Sequence, residues 1–167
     1  WFFKERGYPT REISGPFSQK DLQRRTQLAK ERQKLSNIEI NPKIVDRSRN
    51  VEVVKQILHH LEKGNRKALV NMATGTGKTR VSMAIIDALI RARYMQNVLF
   101  VVDRISLGRQ AYNAFDSFLR GEPKTLLNEF GDFEMDKRMY ISTVQTLKSK
   151  RNEGGFKLQN FTPSFFD

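Results

Sequence analysis

The stretch "LVNMATGTGKTRVSMAIIDALI", residues 69–90, restricts the fold more than any other part of the chain. An apolar run, Ala68–Met72, leads into a glycine loop, and an apolar sequence with helical spacing follows it. Gly75 and Gly77 lack Cβ atoms, so the backbone can bend there and direct successive N–H groups at an anion. A helix that begins at the loop adds the positive end of its dipole. The stretch therefore predicts a strand, a phosphate-binding loop and a helix.

The loop Thr74-Gly75-Thr76-Gly77-Lys78-Thr79 has the residue types of a P-loop. Lys78 can reach the β- and γ-phosphates of a nucleoside triphosphate, and the Thr79 hydroxyl can ligate Mg²⁺. The strict pattern has Gly or Ala where this chain has Met72. A glycine turn with a chance lysine is the alternative, but the apolar run before the loop and the helix after it favour the P-loop. No Asn-Lys-x-Asp element of GTPases occurs, and we expect ATP and Mg²⁺ as ligands.

Two further apolar runs predict strands after the P-loop. They are Val98–Val102 and Arg138–Ser142, the second with the shorter unbroken apolar part, and a helical pattern from Leu107 to Leu119 lies between them. Unbroken apolar runs indicate strands that are covered on both faces. The order strand, helix, strand, helix, strand predicts an α/β fold, a doubly wound parallel sheet flanked by helices.

Polar side chains follow the second and third predicted strands. Arg104 comes after the second, and Thr143 and Gln145 come at the end of the third. Because the carboxyl ends of parallel strands open on one edge of a sheet, we expect these residues beside the P-loop. Their guanidinium, hydroxyl and amide groups are suitable donors for a nucleic-acid backbone. The alternatives are a surface ion pair for Arg104 and a helix N-cap for Thr143, which is compatible with nucleic-acid contact.

The sequence before the P-loop predicts two helices. Ser18 and Asp21 have the spacing of a capping box, so a strongly basic helix should run from there to about Leu35. The second helix has apolar residues along one face and should end at Gly64-Asn65. We divide the chain into a mostly helical linker, residues 1–46, and a nucleotide-binding segment, residues 47–167.

Composition narrows the class of protein further. Lys and Arg number 30 against 18 Asp and Glu, a net charge of +12, which favours a polyanionic partner or serves only solubility. The absence of Cys excludes disulfides and thiolate metal sites. No apolar stretch can span a bilayer and no signal-like sequence occurs at the amino end, so we expect a cytoplasmic protein without a membrane partner. A chain that starts at Trp1 without Met is expected to be a piece of a longer protein.

Several segments resemble a known family. "MATGTGKTR", "VLFVVDRISLGRQAYNAF" and "YISTVQTL" resemble motifs I, Ia and Ic of superfamily 2 helicases, in wording most similar to the restriction (motor) subunit of type I restriction-modification enzymes. The sequence "GYPTREISGPFS" and the later "SNIEINPKIVDR" resemble the stretch between nuclease and motor in those subunits. The resemblance covers nearly the whole chain and implies part of a first, RecA-like lobe.

The family's activity is implied by this resemblance. It is ATP-driven translocation of double-stranded DNA, coupled to endonuclease cleavage in a complex with methyltransferase and specificity subunits. Motif Ia implies that Arg104 lies near DNA phosphates, and motif Ic implies the same for Thr143 and Gln145. Relatives carry Tyr-Gln ahead of the second helix, with the Gln reading adenine. Asn50 stands at that position here, and Arg47 matches the family's arginine, so both join the expected ATP site.

Other parts of the motor are expected outside this chain. The Asp-Glu pair of motif II should follow shortly after "SFFD", and the second lobe should carry the arginine finger. The 167 residues alone are therefore expected to hydrolyse ATP negligibly. Two other readings remain open, a general superfamily 2 DNA helicase or repair translocase, and a non-catalytic basic module that binds DNA or a partner.

Overall fold

The structure, a computed structural model, describes residues 2–3, 11–12, 19–119, 121–127 and 137–148. Contacts divide the chain into two compact units, Trp1–Met95 and Gln96–Asp167, each of which is described by itself. The division falls inside the predicted segment 47–167, and the boundary between residues 46 and 47 stays a prediction. The expected capping residue Ser18 and the sequence "SFFD" lie outside the described residues.

The first unit is mainly helical. A short antiparallel pair joins β1 (Phe2–Phe3) to β2 (Arg11–Glu12). The helices that follow are α1 (Gln19–Glu31), a 3-10 helix (Leu35–Asn37), α2 (Ser48–Glu62) and α3 (Lys78–Arg91). The basic helix α1 is thus confirmed but ends before the predicted Leu35, because Lys34 is extended and Leu35 begins the 3-10 helix.

Helices α2 and α3 pack against each other and form much of the first unit's core. From α2, Val54 and Leu58 are buried. From α3, the buried residues occupy most of the helix circumference, as its apolar sequence predicts: Val81, Met83, Ala84, Ile86, Ala88 and Leu89. Past the end of α2, Gly64 takes a φ of 89°, the left-handed conformation that terminates helices.

The predicted strand Ala68–Met72 is wrong. This segment has no regular secondary structure, and Leu69 is 98% exposed. A strand exists only where its backbone N–H and C=O groups find partners, whereas an apolar run records side-chain preference alone. Among the strands that the structure describes, none pairs with this segment. The loop before α3 therefore follows an irregular segment.

The second unit contains a parallel sheet flanked by helices. Its elements are β3 (Val98–Val102), α4 (Ile105–Phe118), β4 (Lys124–Leu126), β5 (Met139–Thr143) and α5 (Val144–Lys148). The strand order is β3-β5-β4, and both pairs are parallel, with Val102 opposite Thr143. This architecture confirms the predicted α/β class and is consistent with part of a RecA-like fold.

Burial follows each strand's position in the sheet. All of β5, the central strand, is buried, although its sequence is the less apolar of the two predicted strands. The edge strand β3 leaves Val101 45% exposed, so the prediction that both faces of this strand are covered is wrong at that residue. Phe100 of β3 meets the buried Phe115 of α4 edge to face, with ring centroids 5.3 Å apart, which holds the helix on the sheet.

Candidate nucleotide-binding loop

Two glycines shape the loop that precedes α3. Gly75 has a φ of 78° and Gly77 a φ of 96°, values that residues with a Cβ rarely adopt. The first hydrogen bond of α3 runs from the Val81 N–H to the Gly77 carbonyl at 3.0 Å. The N–H groups just before Val81 therefore have no acceptor within the helix. The local geometry is that of an anion-binding helix N-terminus.

The Lys78 side chain, on the first residue of α3, extends back across the loop. Its Nζ donates a hydrogen bond to the Met72 carbonyl at 2.7 Å, so the side chain spans the loop from end to start. Thr76 tightens the same loop, since its hydroxyl donates to the Ala73 carbonyl at 2.7 Å. Thr79 is exposed on the first turn of α3. The predicted phosphate and metal ligands thus lie together at one helix end.

Helix α2 supports the loop from the side through Asn50. This residue is only 5% exposed, and its Nδ2 donates to the Thr76 carbonyl at 2.9 Å. The contact is close, because a Cβ added to Gly77 would lie 3.0 Å from the same Nδ2. Arg47 is the N-cap residue of α2. Of the two residues that the resemblance assigns to the ATP site outside the loop, Asn50 contacts the loop directly and Arg47 lies near it.

A cavity of about 320 Å³ lies between the start of α2 and the loop. It is lined by Val45, Asp46, Arg47, Asn50, Gly75, Thr76, Gly77 and Arg80. Five of the predicted site residues are among them, while Thr74, Lys78 and Thr79 flank the lining in sequence. Arg80 and Asp46 were not predicted, and they form an ion pair with 3.8 Å between Nη1 and Oδ1. The position of Arg80, directly after the "GKT" of the loop, was the available signal.

The predicted nucleic-acid contacts lie in the second unit. Val102 and Thr143 are register partners, so the residues that follow β3 and β5 emerge at one edge of the sheet. Arg104, the N-cap residue of α4, has its side chain 79% exposed and its Nε 3.7 Å from Asp103 Oδ2. Gln145 is exposed on α5. That the P-loop shares this edge stays a prediction.

Thr143 adopts the capping role that was its alternative. It is 5% exposed, and its Oγ1 accepts a hydrogen bond from the Thr146 N–H at 3.0 Å. The same hydroxyl donates to Thr146 Oγ1, also at 3.0 Å. The hydroxyl thus satisfies an N–H group at the start of α5.

The described residues also bear on metal ions and membranes. In the part of the chain that the structure describes, no group of three or more His, Asp and Glu side chains is arranged to hold a metal ion. The expectation of Mg²⁺ rests on Thr79 together with phosphate oxygens. None of the described helices has the length and apolar character needed to cross a membrane.

Comparison with known proteins identifies the family. Residues 43–167 match the family described as "Type III restriction enzyme, res subunit". The chain belongs to this family. The match includes Arg47, Asn50 and the whole P-loop, and the helicase-like resemblance drawn from the motifs is confirmed. The matched region thus begins within the first compact unit and includes the whole of the second.

A relative adds detail to the family assignment. The chain described here is 36% identical over 104 residues to the type I restriction enzyme EcoKI endonuclease subunit of Escherichia coli (strain K12). The alignment covers 58% of this chain and 9% of that subunit, so the chain spans a small fraction of the relative's length. No solved structure matches the chain significantly. The chain is therefore a restriction-subunit-like helicase fragment.

Proposed function

We propose that the chain carries the ATP phosphate-binding loop of a type I restriction motor subunit. In this proposal the intact protein uses ATP to translocate double-stranded DNA and couples that movement to endonuclease cleavage. The supporting observation is the loop itself: two left-handed glycines precede the N-terminus of α3, and Arg47 and Arg80 line the adjacent cavity. Two guanidinium groups beside backbone N–H donors suit a polyphosphate.

The chemistry would be electrostatic. The N–H groups at the start of α3 would bind phosphate oxygens, and Lys78 would leave the Met72 carbonyl to contact the β- and γ-phosphates. Thr79 would hold Mg²⁺, which supplies charge neutralisation for the transferring phosphoryl group. Lys78 is the catalytic group here, because it stabilises charge that develops on the phosphoryl oxygens.

DNA would contact the carboxyl edge of the sheet in the second unit. Arg104 and Gln145 are exposed there, and Thr143 caps the helix that carries Gln145. We propose all three as the DNA-contacting set, with Arg104 directed at phosphates. The partners would be the methyltransferase and specificity subunits of a restriction complex in the cytoplasm.

Replacing the loop lysine tests the nucleotide part of this proposal. Lys78→Ala in the intact protein should abolish binding of MgATP in a calorimetric titration, because the cation for the β- and γ-phosphates is lost. Lys55→Ala removes an exposed lysine from α2, outside the loop, and should leave binding unchanged. ATP-driven displacement of a third strand bound to a DNA duplex should be lost in Lys78→Ala and retained in Lys55→Ala. Undiminished ATP binding by Lys78→Ala would overturn the proposal.

A further inference from the structure

We infer that Asn50 positions the P-loop and does not contact the adenine base. Asn50 then contributes to the affinity for any nucleoside triphosphate and not to the selectivity for one base over another. The inference rests on the proposed nucleotide binding and concerns a different property, the origin of base selectivity. It departs from what the family resemblance implies for this position. Three observations on α2 and the loop carry it.

The amide nitrogen of Asn50 already has a protein partner. Nδ2 donates to the Thr76 carbonyl at 2.9 Å, across 26 residues of sequence. Because the residue is only 5% exposed, little of its surface remains for a base to contact. A reader of adenine needs both its donor and its acceptor turned toward the base edge. One of the two N–H donors of the Asn50 amide is bound to the backbone of the loop instead.

The carbonyl that Asn50 binds lies within the proposed phosphate-binding loop, where the position of its oxygen affects a bound anion. Thr76 lies between the two left-handed glycines, and its C=O carries partial negative charge next to the N–H groups that would face an anion. Asn50 fixes this oxygen on the α2 side of the loop, while the Thr76 hydroxyl ties the other side to Ala73. The loop is therefore held at two points by hydrogen bonds.

The space around Asn50 agrees with a supporting role. A Cβ on Gly77 would lie 3.0 Å from Nδ2, so helix α2 and the loop approach as closely as a glycine permits. A longer amide side chain could not place its nitrogen at the same point without moving the loop. The shorter Asn therefore matches a direct contact with the backbone.

Ligands with and without a base separate the two roles. In the intact protein, the variants Asn50→Ala and Asn50→Leu should be titrated calorimetrically with MgATP, MgGTP and magnesium tripolyphosphate. We expect each Kd to rise by about tenfold, the change that losing one buried hydrogen bond produces. The ratio of the ATP and GTP values should stay as in the unsubstituted protein. Leu has nearly the shape of Asn, so the second variant tests the bond without leaving a cavity.

Asn65→Ala is the matched control. Its Nδ2 also donates to a backbone carbonyl, that of His60 at 3.0 Å, near the other end of α2. This variant should leave all three Kd values unchanged. Amide hydrogen exchange in residues 75–78 should accelerate in Asn50→Ala and not in Asn65→Ala, since only the first releases the loop.

The outcomes are distinct. A loss confined to ATP, with tripolyphosphate unaffected, would overturn the inference and assign adenine reading to Asn50. A lowered stoichiometry with unchanged Kd would also overturn it, because the residue would then serve stability alone. An unsubstituted protein that binds none of the three ligands would overturn the proposed function and this inference with it.

Discussion

Gly77 meets two constraints where Gly75 meets one. Both have positive φ, but a Cβ on Gly77 would crowd Asn50 Nδ2, whereas nothing lies within 4 Å of a Cβ on Gly75. Backbone strain of this kind costs about 1–2 kcal/mol for a residue other than glycine. The steric contact adds to that cost at Gly77 only. The two glycines of the motif are therefore unequal in what they tolerate.

Alanine at each glycine tests this difference. Gly75→Ala should lower the free energy of unfolding by about 1–2 kcal/mol in urea denaturation, the cost of strain alone. Gly77→Ala should lower it by more. In the Asn50→Ala background the Gly77→Ala cost should fall toward that of Gly75→Ala, because the opposing side chain is gone. An identical cost in both backgrounds would show that Asn50 and Gly77 are not in contact.

Local sequence predicted the loop residues but not their supports. Glycines and a lysine at fixed spacing carry their own conformational and chemical requirements, so Gly75, Gly77 and Lys78 could be assigned directly. The bond between Asn50 and the Thr76 carbonyl joins residues 26 apart, and no local pattern encodes it. Arg80 was overlooked because an arginine on a helix is usually a solvated surface residue.

At the scale of elements, the start of α5 depends on one hydroxyl. Thr143→Ala should lower the free energy of unfolding by about 1 kcal/mol, the usual value of an N-cap, as measured by urea denaturation. Thr143→Ser keeps the hydroxyl and should retain most of the stability. Gln145→Ala, exposed on the same helix, should leave unfolding unchanged. Equal stability of the Ala and Ser variants would contradict the capping role.

Strands were harder to predict than helices for a physical reason. The apolar positions of α2 and α3 specify which helix faces pack inward, and the structure buries Val54 and Leu58 of α2 and most of the apolar residues of α3. A strand depends on partners elsewhere in the chain, so Ala68–Met72 has apolar residues but no ladder. The reverse holds for β4, three residues with a lysine, which forms by pairing beside β5 and was not predicted.

At the scale of the whole molecule, the net charge of +12 bears on DNA binding. Affinity for duplex DNA in the intact protein should fall linearly on a plot of log K against log salt, because bound cations are released. Arg104→Ala should reduce the magnitude of that slope by about one and weaken binding similarly for all sequences. Fluorescence anisotropy over a salt series measures both.

Arg109→Ala serves as the control for this charge effect. It removes an exposed arginine from α4, one that does not cap the helix at the strand edge. Its slope should match that of the unsubstituted protein. Equal slopes for both arginine variants would remove Arg104 from the proposed DNA-contacting set.

The bond between Lys78 Nζ and the Met72 carbonyl has a consequence for what can enter the loop. The ammonium group already has an acceptor from its own chain, so an incoming molecule must compete with that oxygen and replace it. Full negative charge makes a stronger acceptor than an amide carbonyl. Uncharged nucleosides would not displace the carbonyl from Lys78, whereas multiply charged phosphates would. The loop would therefore select its ligands by charge first and by shape second.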